Sequence, residues 1–368
     1  MASYQKRGKT WQYTVSHTVR GVSKPIRKGG FRTKPEAVAE ATLIEADLLK
    51  GLSPILKDEP FDDYFEEWVK VYKVDLKDVT LERYDDTLRC IKEHFKGKPI
   101  QDITKRSYQA FINKYGKSWA KETTRKMNTH IRSCVLDAVD EGIIRVDFTR
   151  DVVVVGNNAA KRPEDKHLDY EDSQILLNEI NKRLDCALGY YVLYLGLTTG
   201  MRYAEIVGLT RKDFLFVTNE IVINKTWDYK TGKGFDLTKN DPSNRIIKAD
   251  KKTMALFKKL FANTPASIHG LVFFSQRSKY KVLSNGGMNK LLRIMLEELK
   301  LEHITMHGLR HTHASILLYR KASIYYVSER LGHASIETTH KYYAHVIKEL
   351  REEDTKIATD TFESMVNG

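Results

Sequence analysis

The sequence has 368 residues, with 61 Lys and Arg against 48 Asp and Glu, which gives a formal net charge of +13. This length exceeds one small core and predicts two or three domains, and the basic surplus indicates a polyanionic partner, either nucleic acid or an anionic membrane surface. Three scattered cysteines without CxxC spacing argue against a disulfide framework and a zinc site. No apolar run is long enough for a transmembrane helix, and the N-terminus has no apolar segment typical of a signal peptide. We therefore expect a cytoplasmic protein.

The first 35 residues carry nine basic side chains and no acidic one. Trp11, Tyr13 and Val15 alternate with period two among these charges, which is typical of a strand. We therefore predict a small basic β-rich module in preference to a disordered basic tail, followed by a helix over 35–49 and a proline-containing linker over 51–60. The basic residues proposed to contact DNA in this module are Lys6, Arg7, Lys9, Arg20, Lys24, Arg27, Lys28 and Arg32.

Residues 61–142 are predicted to form four helices. Phe61, Phe65 and Trp68 recur at helical spacing, and such an aromatic stripe is more typical of a core than of a binding surface. Thr80 is expected to cap the second helix. Exposed basic side chains are the candidates for DNA contact here, with an ordinary solvated helix face as the competing interpretation. They include Lys105, Arg106, Lys121 and Arg125.

The pattern becomes mixed from residue 167 onward. The stretch 184–209 is predicted to be mostly helical, with interruptions at Gly196 and Gly200. Residues 172–183 are also predicted to be helical. Three strands joined by two turns are predicted over 221–227, 234–239 and 245–249. The whole remainder of the chain is predicted to be helical. A C-terminal helix over 347–365 could dock on a neighbouring subunit or pack within its own chain.

The last third of the chain brings together His307, Arg310, His333 and the adjacent pair Tyr342 and Tyr343. Arginine neutralises phosphate charge, histidine transfers protons near neutral pH, and tyrosine can form a covalent phosphoester. These groups suit attack on a phosphodiester. Neighbouring tyrosines on a helix point about 100° apart, so only one can face a given phosphate. Histidines that merely pack a helix are the competing interpretation, whereas a metal site is disfavoured because the glutamate of an HExxH pattern is missing.

Two upstream residues extend this set of groups. Arg202 lies two residues after Gly200, where a guanidinium and backbone amides can approach a phosphate, and Glu205 is placed to hold that guanidinium. Lys239 lies at the end of a predicted strand, from which it could protonate a leaving oxygen. Each of these residues alone is more typical of an ordinary surface position.

Taken together and in this order, the motifs resemble those of the tyrosine recombinases, the lambda-type integrases of phages and conjugative transposons. HGLRHTHAS and LGHASIETTHKYYAH carry the resemblance most specifically. It implies a multidomain fold that is mainly α with small β elements. The implied parts are a β-rich arm-type DNA-binding module over 1–57, a helical core-binding (SAM-like) domain over 58–155, a linker over 156–166, and a mixed α+β catalytic domain with a helical tail over 167–368.

The resemblance also implies roles for individual residues. Arg202 and Arg310 would clamp the scissile phosphate and His333 would support it. His307 would assist proton transfer, and Lys239 would act as general acid for the 5′ hydroxyl. Glu205 would support the first arginine. The family pattern ends Thr-Thr-x-x-x-Tyr-x-His, which selects Tyr343 over Tyr342 as the nucleophile.

The function expected from the resemblance is site-specific recombination by a mobile-element integrase, through a 3′-phosphotyrosyl intermediate, without metal, ATP or other cofactor. The implied partner is double-stranded DNA with core-type and arm-type sites, bound by a homotetramer. An excisionase or directionality factor and a host DNA-bending protein are implied as accessory factors. No membrane is involved, and the location would be the cytoplasm of the bacterial host, in association with the nucleoid. The alternatives are a type IB topoisomerase-like DNA-relaxing enzyme, a non-catalytic DNA-binding regulator or decayed recombinase, and a metallohydrolase.

Overall fold

The computed structural model describes residues 2–19, 22–49, 58–157, 166–238, 241–267, 269–349 and 351–366. The chain divides into two compact units, residues 1–160 and 161–368. Within the described residues no helix is both long enough and apolar enough to cross a membrane. Most of the two predicted linkers lies outside the described residues.

The first unit begins with a small antiparallel sheet covered by one helix. The strands Ala2–Arg7, Thr10–Val15 and Ile26–Phe31 lie side by side in that order, and a separate short hairpin joins Thr18–Val19 to Val22–Ser23. Tyr13 and Val15 of the central strand are buried while their neighbours are not, so the predicted period-two strand is confirmed. These elements are β1 (Ala2–Arg7), β2 (Thr10–Val15), β3 (Thr18–Val19), β4 (Val22–Ser23), β5 (Ile26–Phe31) and α1 (Lys34–Leu49).

Four helices complete the first unit, as predicted. Phe61, Phe65 and Trp68 are all buried in their core, which confirms that the aromatic stripe faces inward. The predicted cap at Thr80 is wrong, because the second of these helices already begins at Asp78 and Thr80 lies in its first turn. The helices are α2 (Phe61–Tyr72), α3 (Asp78–Phe95), α4 (Lys105–Gly116) and α5 (Lys121–Asp140).

The second unit begins with three helices: α6 (Tyr170–Lys182), α7 (Leu188–Thr199) and α8 (Tyr203–Val207). The predicted interruption at Gly196 is wrong, since α7 passes through it. A Cβ on Gly196 would lie 3.1 Å from Leu309 Cδ1, so the glycine permits close helix packing. The predicted interruption at Gly200 is confirmed, because its φ of 68° lies in the left-handed region and ends α7.

The strands of the second unit are shorter and more divided than predicted. The predicted strand over 221–227 is two strands in different sheets. Glu220–Ile223 lies between Arg245–Lys248 and Phe214–Leu215 in a three-stranded sheet, and Thr226–Trp227 pairs with Phe235–Asp236 in a hairpin. The polar residues Asn224 and Lys225 mark the break, which the prediction of one strand passed over. The strands are β6 (Phe214–Leu215), β7 (Glu220–Ile223), β8 (Thr226–Trp227), β9 (Phe235–Asp236) and β10 (Arg245–Lys248).

Helices dominate the rest of the second unit. The described residues between 264 and 284 form no helix, so the expectation of a helical remainder is wrong there. Helix α11 packs against α7, α12 and α13, and thereby brings distant parts of the chain to one place. The helices are α9 (Lys251–Asn263), α10 (Asn285–Leu299), α11 (Met306–Tyr319), α12 (Ile324–Leu331), α13 (Ile336–Glu349) and α14 (Arg351–Val366).

Candidate active site

Arg310 lies at the centre of the predicted site and is 2% exposed. Thr305 caps α11 by accepting a hydrogen bond from the backbone N–H of Gly308, and this cap sets the start of the helix that carries Arg310. The guanidinium donates to the carbonyl oxygens of Gly200 at 2.8 Å and Leu331 at 2.7 Å. Burial and then the charge of Arg202 lower the pKa of Arg310 to about 9, which leaves it charged at neutral pH.

Arg202 stands at the residue before α8 and is more exposed than Arg310. Its Nη1 donates to Glu205 Oε1 at 2.8 Å and to Ser243 Oγ at 3.3 Å, and its Nη2 donates to the carbonyl of Gly332 at 3.0 Å. The two arginines therefore contact neighbouring carbonyls, those of residues 331 and 332, at the end of α12. Two guanidinium groups held this way present fixed positive charge in one place.

Glu205 is 1% exposed and balances this charge. It accepts a hydrogen bond from the backbone N–H of Arg202 at 2.8 Å, and from Nη2 of Arg245 at 2.9 Å. Burial by itself raises the pKa of Glu205, but the charges of Arg245, Arg202 and Arg310 outweigh it and leave that pKa below its ordinary value. Glu205 is therefore a buried carboxylate shared by arginines, not the ordinary surface partner that its spacing alone suggested.

Arg245 was missed by the sequence analysis. It opens β10, and its Nε donates to the carbonyl of Arg330 at 2.7 Å while both terminal nitrogens contact Glu205. Its side chain is 6% exposed. A signal was present in the sequence: Arg245 shares a strand face with the buried Ile247, and an arginine on the inward face of a strand needs a buried acidic partner.

The two histidines proposed to act on the phosphate, His307 on α11 and His333 in the turn after α12, have similar surroundings. Burial, followed by the charges of Arg310 and Arg202, lowers the pKa of His307. The same causes, burial first, lower the pKa of His333 to about 3, and its Nδ1 lies 2.8 Å from Thr339 Oγ1. Both imidazoles are therefore neutral near pH 7 in the absence of a bound anion.

His313 fits the competing interpretation of a packing histidine. Its Nδ1 donates to the carbonyl of Leu197 at 3.0 Å, and its Nε2 accepts from Arg330 Nε at 3.0 Å. Burial lowers its pKa to about 3. With both ring nitrogens satisfied by the protein, this histidine ties α7 to α12.

The two tyrosines diverge as the helical spacing predicted. Tyr343 is 1% exposed and packs in a cluster with Leu318, Val327 and Leu331, whereas Tyr342 is 39% exposed. Helix α13 is kinked at Tyr343, where φ is −120° and ψ is 15°. This kink, together with the adjacent cluster, places the Tyr343 side chain inside the unit.

The hydroxyl of Tyr343 lies 2.8 Å from His311 Nδ1. Burial raises the pKa of Tyr343 well above its ordinary value, and the charge of Arg310 offsets only part of that rise. Neighbouring positive charge alone would make this phenol more acidic, but desolvation is the larger effect here. The charge of Arg310 nevertheless acts on the phenol and lowers its pKa in part.

Lys239 and Arg20 lie outside the described residues. The other basic residues expected to contact DNA are all exposed, in keeping with a surface role. Some already have acidic neighbours: Lys28 pairs with Glu40 at 2.8 Å, and Arg125 pairs with Glu122. Within the part of the chain that the structure describes, no three His, Cys, Asp or Glu residues are grouped so that they could hold a metal ion.

The site combines three buried or half-buried arginines, two neutral histidines, a carboxylate that holds two of the arginines, and a buried phenol. Fixed cations in a desolvated site stabilise the negative charge that develops when a phosphate becomes five-coordinate. A phenolic oxygen in the same site can attack that phosphorus. The arrangement therefore suits nucleophilic phosphoryl transfer.

Comparison with known families covers most of the chain. Residues 166–349 match the phage integrase family. Residues 60–115 match the phage integrase N-terminal SAM-like domain, and residues 2–48 match an Arm DNA-binding domain. The three matches follow one another along the chain, and the first covers all the described residues of the site.

Individual proteins show the same likeness over nearly full length. The chain is 25% identical, over 98% of both sequences, to a tyrosine recombinase XerC-like protein of Caldanaerobacter subterraneus subsp. tengcongensis. It is 24% identical to the integrase of Staphylococcus phage L54a, over 84% of this chain and 95% of the phage protein.

Two solved structures share the fold. The Tn1549 transposon integrase in complex with a circular intermediate DNA has a TM-score of 0.66 and 18% identity, over 81% of this chain and 99% of that one. A lambda integrase dimer bound to a COC′ core site has a TM-score of 0.61 and 16% identity, over 92% and 93%. At these identities the likeness establishes the fold.

Proposed function

The chain belongs to the phage integrase family and is a tyrosine site-specific recombinase, and from this premise we propose that it integrates and excises a mobile element through a 3′-phosphotyrosyl intermediate. Its likeness to integrases of a phage and a transposon supports the mobile-element role. The DNA-bound structures of similar fold support double-stranded DNA as the substrate.

In the proposed reaction, Arg202 and Arg310 bind the non-bridging oxygens of the scissile phosphate. Both guanidinium groups are already fixed by carbonyls and Glu205, so little reorganisation is needed when the phosphate arrives. His333 donates a further hydrogen bond to the phosphate, and His307 assists proton transfer. Tyr343 attacks the phosphorus, the bond to the 5′ oxygen breaks, and the protein is left joined to the 3′ end.

Lys239 is proposed to protonate the departing 5′ oxygen, on the strength of the sequence resemblance. Reversal of the step by a 5′ hydroxyl from another strand joins the DNA in a new arrangement. Because the energy of the broken bond is retained in the phosphotyrosine, the exchange needs neither ATP nor a metal.

One observation carries this proposal more than any other: the buried Tyr343 hydroxyl lies 2.8 Å from Nδ1 of His311, the residue that follows the buried Arg310 on α11. The proposed nucleophile and the proposed phosphate-binding arginine are thus joined through two consecutive residues of one helix. The pairing of a nucleophile with a phosphate-binding group is what phosphotyrosine chemistry needs.

The N-terminal module is proposed to bind a second, arm-type DNA site. Lys6, Arg7 and Lys9 lie on and beside the β1–β2 turn, where their exposed side chains can reach a phosphate backbone. Two DNA sites per subunit allow distant sequences to be brought together. Recombination of two duplexes, each cut twice, implies a homotetramer on DNA. An excisionase and a DNA-bending protein are proposed as accessory factors, on the strength of the sequence resemblance.

The test is a nicked suicide substrate, whose cleaved end diffuses away and so traps the covalent intermediate. Wild-type protein should yield an adduct that survives denaturing electrophoresis. Tyr343→Phe should yield none and still bind DNA, whereas Tyr342→Phe, the matched neighbouring control, should retain adduct formation. An adduct that persists in Tyr343→Phe and disappears in Tyr342→Phe would contradict the assignment of the nucleophile.

A further inference from the structure

His311 follows Arg310 on α11 and has none of the roles proposed above. Its Nδ1 lies 2.8 Å from the Tyr343 hydroxyl, which is hydrogen-bonding distance. Among the histidines whose contacts are described, it is the one that touches the atom expected to attack phosphorus. This contact, formed between α11 and α13, singles out His311 for a role in the reaction.

The surroundings of His311 bear on its protonation. The groups that face it are His307 and Arg310 on its own helix, Tyr342 and Tyr343 on α13, and Lys166 and His167 from the segment before α6. The His307 ring is perpendicular to it at 4.7 Å. Burial and these charges lower the pKa of His311 to about 3, so the ring is neutral and Nδ1 can accept a proton.

We propose that His311 is a further catalytic residue, which receives the hydroxyl proton of Tyr343 on Nδ1 as the phenolic oxygen attacks the scissile phosphorus. The inference rests on the proposed function. The bond between Tyr343 Oη and phosphorus forms, the bond between phosphorus and the 5′ oxygen breaks, and the phenolic proton moves to His311. Rejoining returns the proton from the imidazolium to the departing phenol, so no oxidant, reductant or other reactant is consumed.

Burial explains why transfer would occur only with DNA bound. The buried phenol is a poor acid and the buried imidazole a poor base, so the proton stays on Tyr343 until a phosphate binds. A bound phosphate brings negative charge, which favours the imidazolium. Bond formation to phosphorus withdraws electrons from the phenolic oxygen and makes its proton acidic at the moment of attack. His311 is then already in place to receive it.

Two other interpretations make different predictions. If His311 only holds the tyrosine ring in position, any side chain that accepts the same hydrogen bond should serve. Asparagine meets this condition, because its amide oxygen can occupy the place of Nδ1 but is not a useful base. If His311 instead protonates the departing 5′ oxygen, a substrate with sulphur at that bridging position should restore activity, because a thiolate leaves without a proton.

The experiment measures single-turnover adduct formation by the full chain on nicked duplexes with oxygen or sulphur at the bridging 5′ position. His311→Asn should react about 100-fold more slowly than wild type on both substrates, the lower end of the usual contribution of a general base. Its affinity for the duplex should remain within about twofold. His340→Asn, a surface substitution on α13, should behave as wild type.

A second variant tests the basicity directly. His311→Ala should be equally slow, and added imidazole should restore a large part of its rate, which a purely structural role would not allow. Wild-type rates in His311→Asn, rescue by the sulphur substrate, or no response of His311→Ala to imidazole would each overturn the inference. If wild-type protein forms no adduct at all, the proposed function itself fails.

Discussion

Replacing Glu205 by glutamine should destabilise the second unit far more than a change of one carboxylate to an amide would at the surface. Glu205 accepts hydrogen bonds from the backbone and side chain of Arg202 and from two nitrogens of Arg245. The amide removes the negative charge and turns an N–H group toward donors. Arg202, Arg245 and Arg310 then repel one another without a counter-ion.

The expected loss is about 3–5 kcal/mol in the free energy of unfolding, the usual cost of removing one partner from a buried ion pair. With a urea dependence of about 2–3 kcal/mol per molar, the midpoint should fall by about 1–2.5 M. Hydrogen exchange of peptides from residues 188–248 during urea unfolding would report this unit by itself.

Glu298→Gln is the matched control in the same unit. Glu298 pairs with Arg183 at 2.8 Å but its side chain is 47% exposed, so the change should cost no more than about 1 kcal/mol. Equal midpoints for Glu205→Gln and Glu298→Gln would refute the view that a buried carboxylate holds the arginines together.

Three further predictions concern other parts of the molecule. Gly200→Ala should lower the free energy of unfolding by about 2–5 kcal/mol, because alanine disfavours the left-handed backbone there and its Cβ would lie 2.6 Å from His313. Gly270 has a similar φ, but the nearest atom to its Cβ would be 3.9 Å away. Gly270→Ala should therefore cost clearly less in the same urea assay. The free energy of unfolding should fall as pH is lowered from about 6.5 toward 3, because His311 binds a proton in the unfolded chain but, with a folded pKa of about 3, not in the folded one. Calorimetry of His311→Asn should show a weaker dependence of the unfolding free energy on pH. An unchanged dependence would contradict this account. Deletion of residues 1–50 should spare cleavage of isolated core sites in the adduct assay but impair integration in a two-plasmid assay, and full integration by the truncated protein would contradict an arm-binding role.

The parts of the fold that follow from local periodicity were predictable from the sequence. The alternation around Tyr13 and the stripe containing Phe65 each depend on which face of one element is buried. The turn before α13 also follows from local residue types, since glycine favours the end of a helix and serine favours its start. Gly332 ends α12 with a φ of 67°, and Ser335 accepts a hydrogen bond from the backbone N–H of Glu337.

The sequence analysis failed for features that tertiary packing determines. Gly196 suggested a break, but its missing side chain accommodates Leu309 of another helix. The strand pattern places Arg245 on the inward face of β10, but it does not identify the partner of Arg245, a buried carboxylate 40 residues away. The pKa of Tyr343 depends on how deeply the ring is buried, and a list of neighbouring charges in the sequence omits that larger effect. The roles of Lys239 and the other site residues stay predictions.

The contacts that build the site join residues very far apart in sequence: Arg310 binds the carbonyl of Gly200 across 110 residues, and Arg202 binds that of Gly332 across 130. During synthesis the ribosome releases the first arginine long before the second, and Tyr343 after both. A nascent or truncated chain that ends before Arg310 therefore cannot contain the proposed catalytic site, whatever part of the first unit has already folded. The order of residues along the polypeptide thus ties the proposed activity to a nearly complete chain.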